Sequence, residues 1–398
     1  MLFILLYVYK FVFILTKEYN KRYKEIKMPL EKQDLLNTLN QWLKLLIQQN
    51  GTDLHIKTNA PIKAKINGYI VLLSKELMGS SSATINGIIK VLLGDKAVQL
   101  QSEKEYDGMY IIDEKYRFRY NIYRHHGGYA LNFRRIPHEI RSIERLNLPT
   151  ELHALTTLKH GLVLITGTTG SGKSTTLASL IEEINKTTKQ HIITIENPIE
   201  YIYEDQQCII EQREIGMHTN SFQNAMHSAM REDADIIVVG EIRDLATAES
   251  IIQAVNTGHL VFSTTHTLDA SETIDRMISI FPSSEQNRVR ATLAATLEAV
   301  ISQRLVKSKS GEMLPTVEMM FKSPLIQEYI RNSRDHEILD AMEKESHSFH
   351  SIPFDKALFD LALAGEIDEE TAYRHATSPA DLKLMLSLSE AYHERSND

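Results

Sequence analysis

The segment LITGTTGSGKSTTL, residues 164–177, constrains this chain more than any other stretch. An apolar run ends at Thr166, a glycine-rich loop follows, and a lysine and two hydroxyls open a helical pattern. Gly167, Thr168, Thr169, Gly170, Ser171, Gly172, Lys173 and Ser174 match GxxxxGK[ST] in full, with Thr175 continuing the run. Glycines there let backbone N–H groups close on phosphate oxygens, and the helix N-terminus adds partial positive charge. Such a loop needs a strand before it and a helix after it, so this region is committed to an α/β architecture. In that setting Lys173 reaches the outer phosphates of a nucleotide and Ser174 ligates Mg2+.

The rest of the chain agrees. GLVLIT, HIITI, DIIVV and HLVFST are short continuous apolar runs, each followed by a polar or glycine-containing turn. Continuous rather than alternating runs predict strands buried on both faces, hence a parallel sheet with helices on either side. A chain of 398 residues is too long for one ordinary core. Residues 30–49 space Leu35, Leu36, Leu39, Trp42, Leu43, Leu46 and Ile47 as one apolar helix face. DLHIK, IKAKING and YIVLL then read as short strands, a helix is expected over 82–93, and YRFRYNIYR with YALNFRRI reads as a hairpin turning at Gly127–Gly128. We therefore expect a mixed α/β domain over residues 28–138, a polar, proline-bounded hinge over 139–150, a nucleotide-binding domain over 151–330 and a helical segment over 331–398.

Residues 1–27 are a separate matter. MLFILLYVYKFVFILT followed by a lysine-rich stretch reads either as a short membrane anchor with a basic flank or as sequence upstream of a true start at Met28, and the run falls short of the ~20 apolar residues that span a bilayer. A net charge of −8 argues against a protein that coats nucleic acid. The single cysteine, Cys208, excludes an intrachain disulfide and any cysteine-rich zinc module, and it fits a reducing cytoplasmic compartment.

Ligands of open α/β sheets sit beyond the carboxyl ends of the strands. Glu200 follows HIITI, Glu241 follows DIIVV, and His266 follows HLVFST, so two carboxylates and a histidine converge on the edge that carries the loop. Glu241 is the acid expected to order the Mg2+ shell or the attacking water, Glu200 the candidate general base, and His266 a hydrogen-bond donor toward the terminal phosphate. A second constellation lies in the first domain, where Arg119 and Arg134 each follow a phenylalanine. They read either as guanidinium groups delivered to a phosphate or as one solvated face of a β-ribbon.

TGTTGSGKSTTL, TIENPIEY, QREIG, AMREDADIIVVGEIRD, TGHLVFSTTHT and IDRMISIFP, taken in order, resemble the P-loop, Asp box, Walker B and His box of the PilT-like twitching-motility ATPases, within the type II/IV secretion ATPase superfamily. The likeness runs from about residue 30 to 330. It implies a PAS-like α+β N-terminal domain, a RecA-like P-loop ATPase domain and a homohexameric ring with ATP and Mg2+ bound between subunits. It further implies a cytoplasmic motor, peripheral to the inner membrane through its partners, that acts with a platform protein at the pilus base to drive retraction. By motif, Glu200 becomes the catalytic glutamate, Glu241 the Walker B acid that also orders Mg2+, and Arg119 and Arg134 the arginines near a neighbouring subunit's nucleotide.

Two departures stand out. Asn197 occupies a position that is usually aspartate, and LIQEYIRN, residues 325–332, replaces AIRNLIRE, putting Gln327 in place of an arginine. The chain lacks the tetracysteine insert usual in the extension and type II secretion branches, which favours retraction. Alternatives are an accessory retraction or secretion ATPase, a non-hydrolysing nucleotide-dependent scaffold, and a RecA-like nucleic-acid motor, the last disfavoured by charge.

Overall fold

The computed structural model describes residues 32–66, 68–73, 80–98, 100–113, 116–136 and 139–396. The apolar and basic extension, and the reading of Met28 as a start, lie outside these residues. The chain divides into two compact units after residue 138.

The first unit opens with helix α1 (Lys32–Gln48), which buries Leu35, Leu39, Trp42, Leu43 and Leu46 and leaves Leu36 and Ile47 half-buried. The three- and four-residue spacing of these side chains fixes that face. Strands β1 (Asp53–Lys57), β2 (Lys63–Ile66) and β3 (Tyr69–Leu72) follow, then helix α2 (Ser82–Leu93), whose N-cap Ser81 accepts from the Thr84 N–H, and the one-turn helix α3 (Leu100–Glu103). Strands β4 (Glu105–Ile112), β5 (Tyr116–His125) and β6 (Gly128–Ile136) complete a six-stranded antiparallel sheet in the order β3-β2-β1-β6-β5-β4. β5 and β6 pair from Arg117 opposite Ile136 to His125 opposite Gly128, as the hairpin reading required. Helices α1 and α2 pack with one face of the sheet around Phe118, Phe133, Leu54 and Ile56.

The second unit is a seven-stranded sheet in the order β13-β12-β7-β11-β10-β8-β9. Its elements, in chain order, are β7 (Gly161–Thr166), α4 (Lys173–Thr187), β8 (His191–Glu196), β9 (Ile209–Glu214), α5 (Phe222–Ala229), β10 (Ile236–Val239), α6 (Leu245–Asn256), β11 (Leu260–Thr264), α7 (Ala270–Ser279), α8 (Ser283–Thr296), β12 (Leu297–Lys307) and β13 (Met313–Phe321). All neighbours are parallel except the β12–β13 pair. Every residue of β7, β10 and β11 is buried, which is the origin of their unbroken apolar runs. Two cores result, one on each face of the sheet: Ile237, Ile251 and Ile274 lie in one, Val163, Ile181 and Phe262 in the other.

The remaining helices are α9 (Pro324–Arg331), α10 (Ile338–Phe349), α11 (Phe354–Leu363), α12 (Glu369–His375) and α13 (Pro379–Ser396). Ile326, Tyr329 and Ile330 of α9 and Met342 of α10 join the first of those cores, whereas Leu358, Ile367 and Leu382 build a small one against Val306 and Leu314. Among the described residues no helix is long and apolar enough to cross a membrane.

Candidate nucleotide site

The loop between β7 and α4 has positive φ at Gly167 (138°), Gly170 (84°) and Gly172 (93°). At Gly167 a Cβ would come within 2.3 Å of the Gln303 carbonyl oxygen, so glycine is required there on grounds of both space and backbone. Lys173 opens α4, buried, and its Nζ donates to the carbonyls of Gly167 at 2.6 Å and Thr168 at 2.9 Å. Burial holds the ammonium below its usual pKa, while Glu200 and Glu241 pull it back up, so both carboxylates lie within electrostatic reach of the lysine.

Backbone bonds stitch the strand ends into one edge. The Gly240 N–H donates to Ile195, Ile242 to Thr264 and Thr265 to Ile165. The hydroxyls of Ser263 and Thr264 donate to the Val239 and Gly240 carbonyls. Aspartates at the first N-cap of the following helices, Asp244 for α6 and Asp269 for α7, end each loop at a defined place. On this frame Glu241 pairs with Arg243 and, at 3.4 Å, with His266 Nε2. Glu241 is 14% exposed and His266 56%, so the acid is fixed in the wall while the imidazole reaches outward.

Glu200 sits on the loop after β8, which passes through a cis Asn197–Pro198 bond. Its own amide donates to Glu196 Oε2 at 3.2 Å, and Glu196 Oε1 accepts from Thr194 Oγ1 at 2.7 Å and from Gln212 Nε2 at 3.4 Å. Burial pushes the Glu196 carboxyl up to about 7 against the pull of those bonds. The neighbouring Tyr201 hydroxyl shares a 2.8 Å hydrogen bond with Thr175 Oγ1, tying the same loop to the first turn of α4. Lys173, Glu200, Glu241 and His266 are thus brought to one edge, along with the half-buried Ser174.

Arg119 and Arg134 are in the first unit, directly opposite each other across β5 and β6. Phe118 and Phe133 are fully buried, so strand alternation sends both arginines to the other face. Arg134 Nε donates to Asp53 at 2.7 Å and Arg119 lies 3.7 Å from Asp107. Gln327 is half-buried in α9 and Arg331 exposed.

Three contributors escaped the sequence reading as site residues: Gln303, which hydrogen-bonds the loop from β12, Glu196, which positions the loop of Glu200, and Arg243, which holds Glu241. Glu196 carried a signal, a carboxylate at a strand end; the others show only as ordinary polar residues.

Oxygen donors from Ser174 and Glu241 suit Mg2+, a hard cation that usually takes one or two protein ligands with phosphate and water.

A phosphate-cradling loop on a parallel sheet, with carboxylates at the adjoining strand ends, defines a P-loop nucleotide-binding protein. The chain belongs to the type II/IV secretion system protein family, whose model matches residues 30–345. It is 35% identical over 342 residues to the type IV pilus retraction ATPase PilT of Pseudomonas aeruginosa, covering 86% of this chain and 98% of that one. Identity to the type IV pilus ATPase PilU of the same organism is 34% over 347 residues, covering 87% and 90%. The crystal structure of the pilus retraction motor PilT with bound ADP superimposes with a TM-score of 0.80 at 36% identity, covering 86% of this chain and 97% of that one. The chain is a PilT-like ATPase.

Proposed function

We propose that the protein is a homohexameric motor that couples ATP hydrolysis to retraction of a type IV pilus, working on the cytoplasmic side of the inner membrane with a platform protein of the pilus base. In this reading the first unit is PAS-like, the second RecA-like, and residues 139–150 are the hinge between them. The observation that carries it is the convergence of Glu200 and Glu241 on Lys173, which gives the loop both a phosphate-binding cation and the groups that hydrolysis needs.

Lys173 and the loop amides hold the phosphates, and the helix N-terminus of α4 favours their negative charge. The Ser174 hydroxyl and Glu241 would hold and order Mg2+, which would supply positive charge against the phosphoryl oxygens. Glu200 orients water and takes its proton; His266 donates to the terminal phosphate and, through Glu241, reports its presence to the Walker B strand. Arg119 and Arg134 serve a neighbouring subunit's nucleotide, the role that makes a ring necessary.

Phosphate release per subunit across a dilution series of the full chain tests this. Specific activity that rises with concentration and disappears in Glu200→Gln supports catalysis shared between subunits. Activity independent of concentration would refute the ring, and tight ATP binding without turnover would make the protein a scaffold. A second reading, an accessory retraction motor, is favoured by Gln327 and by near-equal identity to PilT and PilU. Restored twitching in a host lacking its retraction ATPase supports the first reading, and failure alongside full ATPase activity the second.

A further inference from the structure

A cavity of about 180 Å3 opens at the start of α7 and shares no residue with the phosphate loop. Its walls include Ile338, Met342 and Phe354, and Glu318 of β13 also lines it. Glu318 is 3% exposed. Its Oε1 accepts from the Ala270 N–H at 2.9 Å and from Ser302 Oγ at 3.3 Å, and Oε2 has no hydrogen-bond partner among the described residues. A carboxylate buried to this degree is costly in its ionised form unless a cation meets it.

The surroundings have the matching sign. Asp269, Glu343 and Asp355 also line the cavity, and among the described residues no lysine or arginine does. Asp355 uses both oxygens to accept the Thr377 and Ser378 amides, and Asp269 Oδ1 accepts from Glu272 N–H, so these two are partly occupied by the fold. Arg304, the guanidinium that acts on Glu318 electrostatically, stacks on Phe354 at 3.9 Å and donates to the His375 carbonyl, so its contacts are made elsewhere. The cavity is below the ~300–1,000 Å3 of sites that hold drug-sized ligands, which excludes a nucleotide. Apolar walls beside a buried anion suit a narrow aliphatic stem ending in a positive charge. Metal binding is disfavoured, since no three metal-binding side chains cluster among the described residues.

We propose that this cavity binds a linear alkylammonium group, with the stem against Ile338, Met342 and Phe354 and the ammonium on Glu318. The chemistry is that of a lysine side chain on a partner polypeptide or of a free aliphatic diamine. Because Glu318 also anchors the first amide of α7, just beyond His266, occupancy bears on the loop that presents that histidine.

Calorimetric titration of the full chain at about pH 8 with pentylamine, and with 1-pentanol as its uncharged counterpart, tests the proposal; at that pH most of the Glu318 carboxyl, pushed up to about 7, is ionised. Pentylamine should saturate one site per chain and bind at least about tenfold tighter than pentanol. Glu318→Gln keeps the shape and the acceptor oxygen and should lose that preference. Leu339→Trp places bulk at the partly exposed lining residue Leu339 and should block binding without touching the carboxylate, covering the case in which Glu318→Gln does not fold. No saturable binding, equal affinity for amine and alcohol, or unchanged amine binding by either variant overturns the site. With the site upheld, tighter binding of 1,5-diaminopentane than of an acetylated lysine peptide assigns it to a free diamine, and the reverse order assigns it to a partner's lysine.

Discussion

Gln303 of β12 donates from Nε2 to the Ser171 carbonyl at 2.8 Å while its Oε1 accepts from Thr176 Oγ1 at 2.7 Å. One buried amide therefore ties both the phosphate loop and the first turn of α4 to a strand far along the chain. The same side chain backs Gly172, where an added Cβ would meet Gln303 Nε2 at 2.6 Å. Gln303→Ala leaves the Ser171 carbonyl and the Thr176 hydroxyl without these partners and opens space under the loop. We expect a stability loss of about 2–3 kcal/mol and nucleotide affinity weakened by roughly tenfold, read by denaturant unfolding and nucleotide titration. Gln303→Met restores volume without hydrogen bonds and should recover part of the stability but little of the affinity. Equal recovery of both would mean that Gln303 acts through packing alone.

Glu200 and Glu241 should separate binding from turnover. Glu200→Gln keeps shape but removes the base, so kcat should fall by ~10²–10⁴ with the ATP Kd within a few-fold of wild type. Glu241→Gln weakens its pairs with Arg243 and His266 and should also lower kcat, with a larger effect on the Mg2+ concentration needed for activity. Lys173→Ala should abolish nucleotide binding itself. Single-turnover phosphate release beside nucleotide titration distinguishes these outcomes, and loss of binding in Glu200→Gln would remove that residue from the role of base.

What the sequence disclosed follows from where the constraints lie. The phosphate loop was legible because its glycine positions are dictated by local backbone geometry. β7, β10 and β11 were legible because burial on both faces leaves only apolar residues. β9, with the half-buried and exposed sequence IIEQRE at the sheet edge, carries no such pattern, so nothing local marks it as a strand. The contact between Gln303 and Ser171 spans 132 residues, and nothing local in ISQRL marks it. That Glu200, Glu241 and His266 lie on one edge follows from topology, since strand ends meet there, but the bond from the Glu200 amide to Glu196 needs the folded loop.

Acidity should enter stability through Glu318 and Glu196, whose carboxyls burial pushes up to about 7. Asp269 raises Glu318 further, and Ala270, Ser302 and Arg304 oppose the rise. Each folded carboxyl keeps its proton where the unfolded chain has released it, so the folded state binds more protons and loses stability as pH rises from about 4.5 to about 7. The full range is on the order of 3 kcal/mol for Glu318. His153, raised chiefly by its hydrogen bond to Glu183 and also by Glu144, acts in the same direction: its contribution is complete below about 6.5 and is lost as pH climbs through the raised value. Urea midpoints should therefore fall from pH ~5 to ~8, and Glu318→Gln should flatten the curve. An unchanged slope in that variant would show that Glu318 ionises normally.

The two arginines should differ in what their removal costs. Arg119 and Asp107 are both substantially exposed and 3.7 Å apart, a pair worth ~0–1 kcal/mol, so Arg119→Ala should leave unfolding nearly unchanged. Arg134 instead supplies a charged hydrogen bond to Asp53, which is 6% exposed and among the described residues keeps only the Thr52 hydroxyl, at 2.9 Å, once the arginine is gone. Arg134→Ala should cost about 1–3 kcal/mol in the first unit, and adding Asp53→Asn should return most of it. Any fall in ATP turnover in Arg134→Ala is therefore ambiguous alone, whereas a fall in Arg119→Ala, or one that persists in the Arg134→Ala, Asp53→Asn double variant, isolates the guanidinium. If both arginines deliver charge to a neighbouring subunit's nucleotide, mixing either variant with a Glu200→Gln chain should restore turnover at the interfaces that pair an intact arginine with an intact glutamate. Absence of recovery in mixed assemblies, with full activity of Arg119→Ala alone, would return both residues to a solvated β-ribbon face.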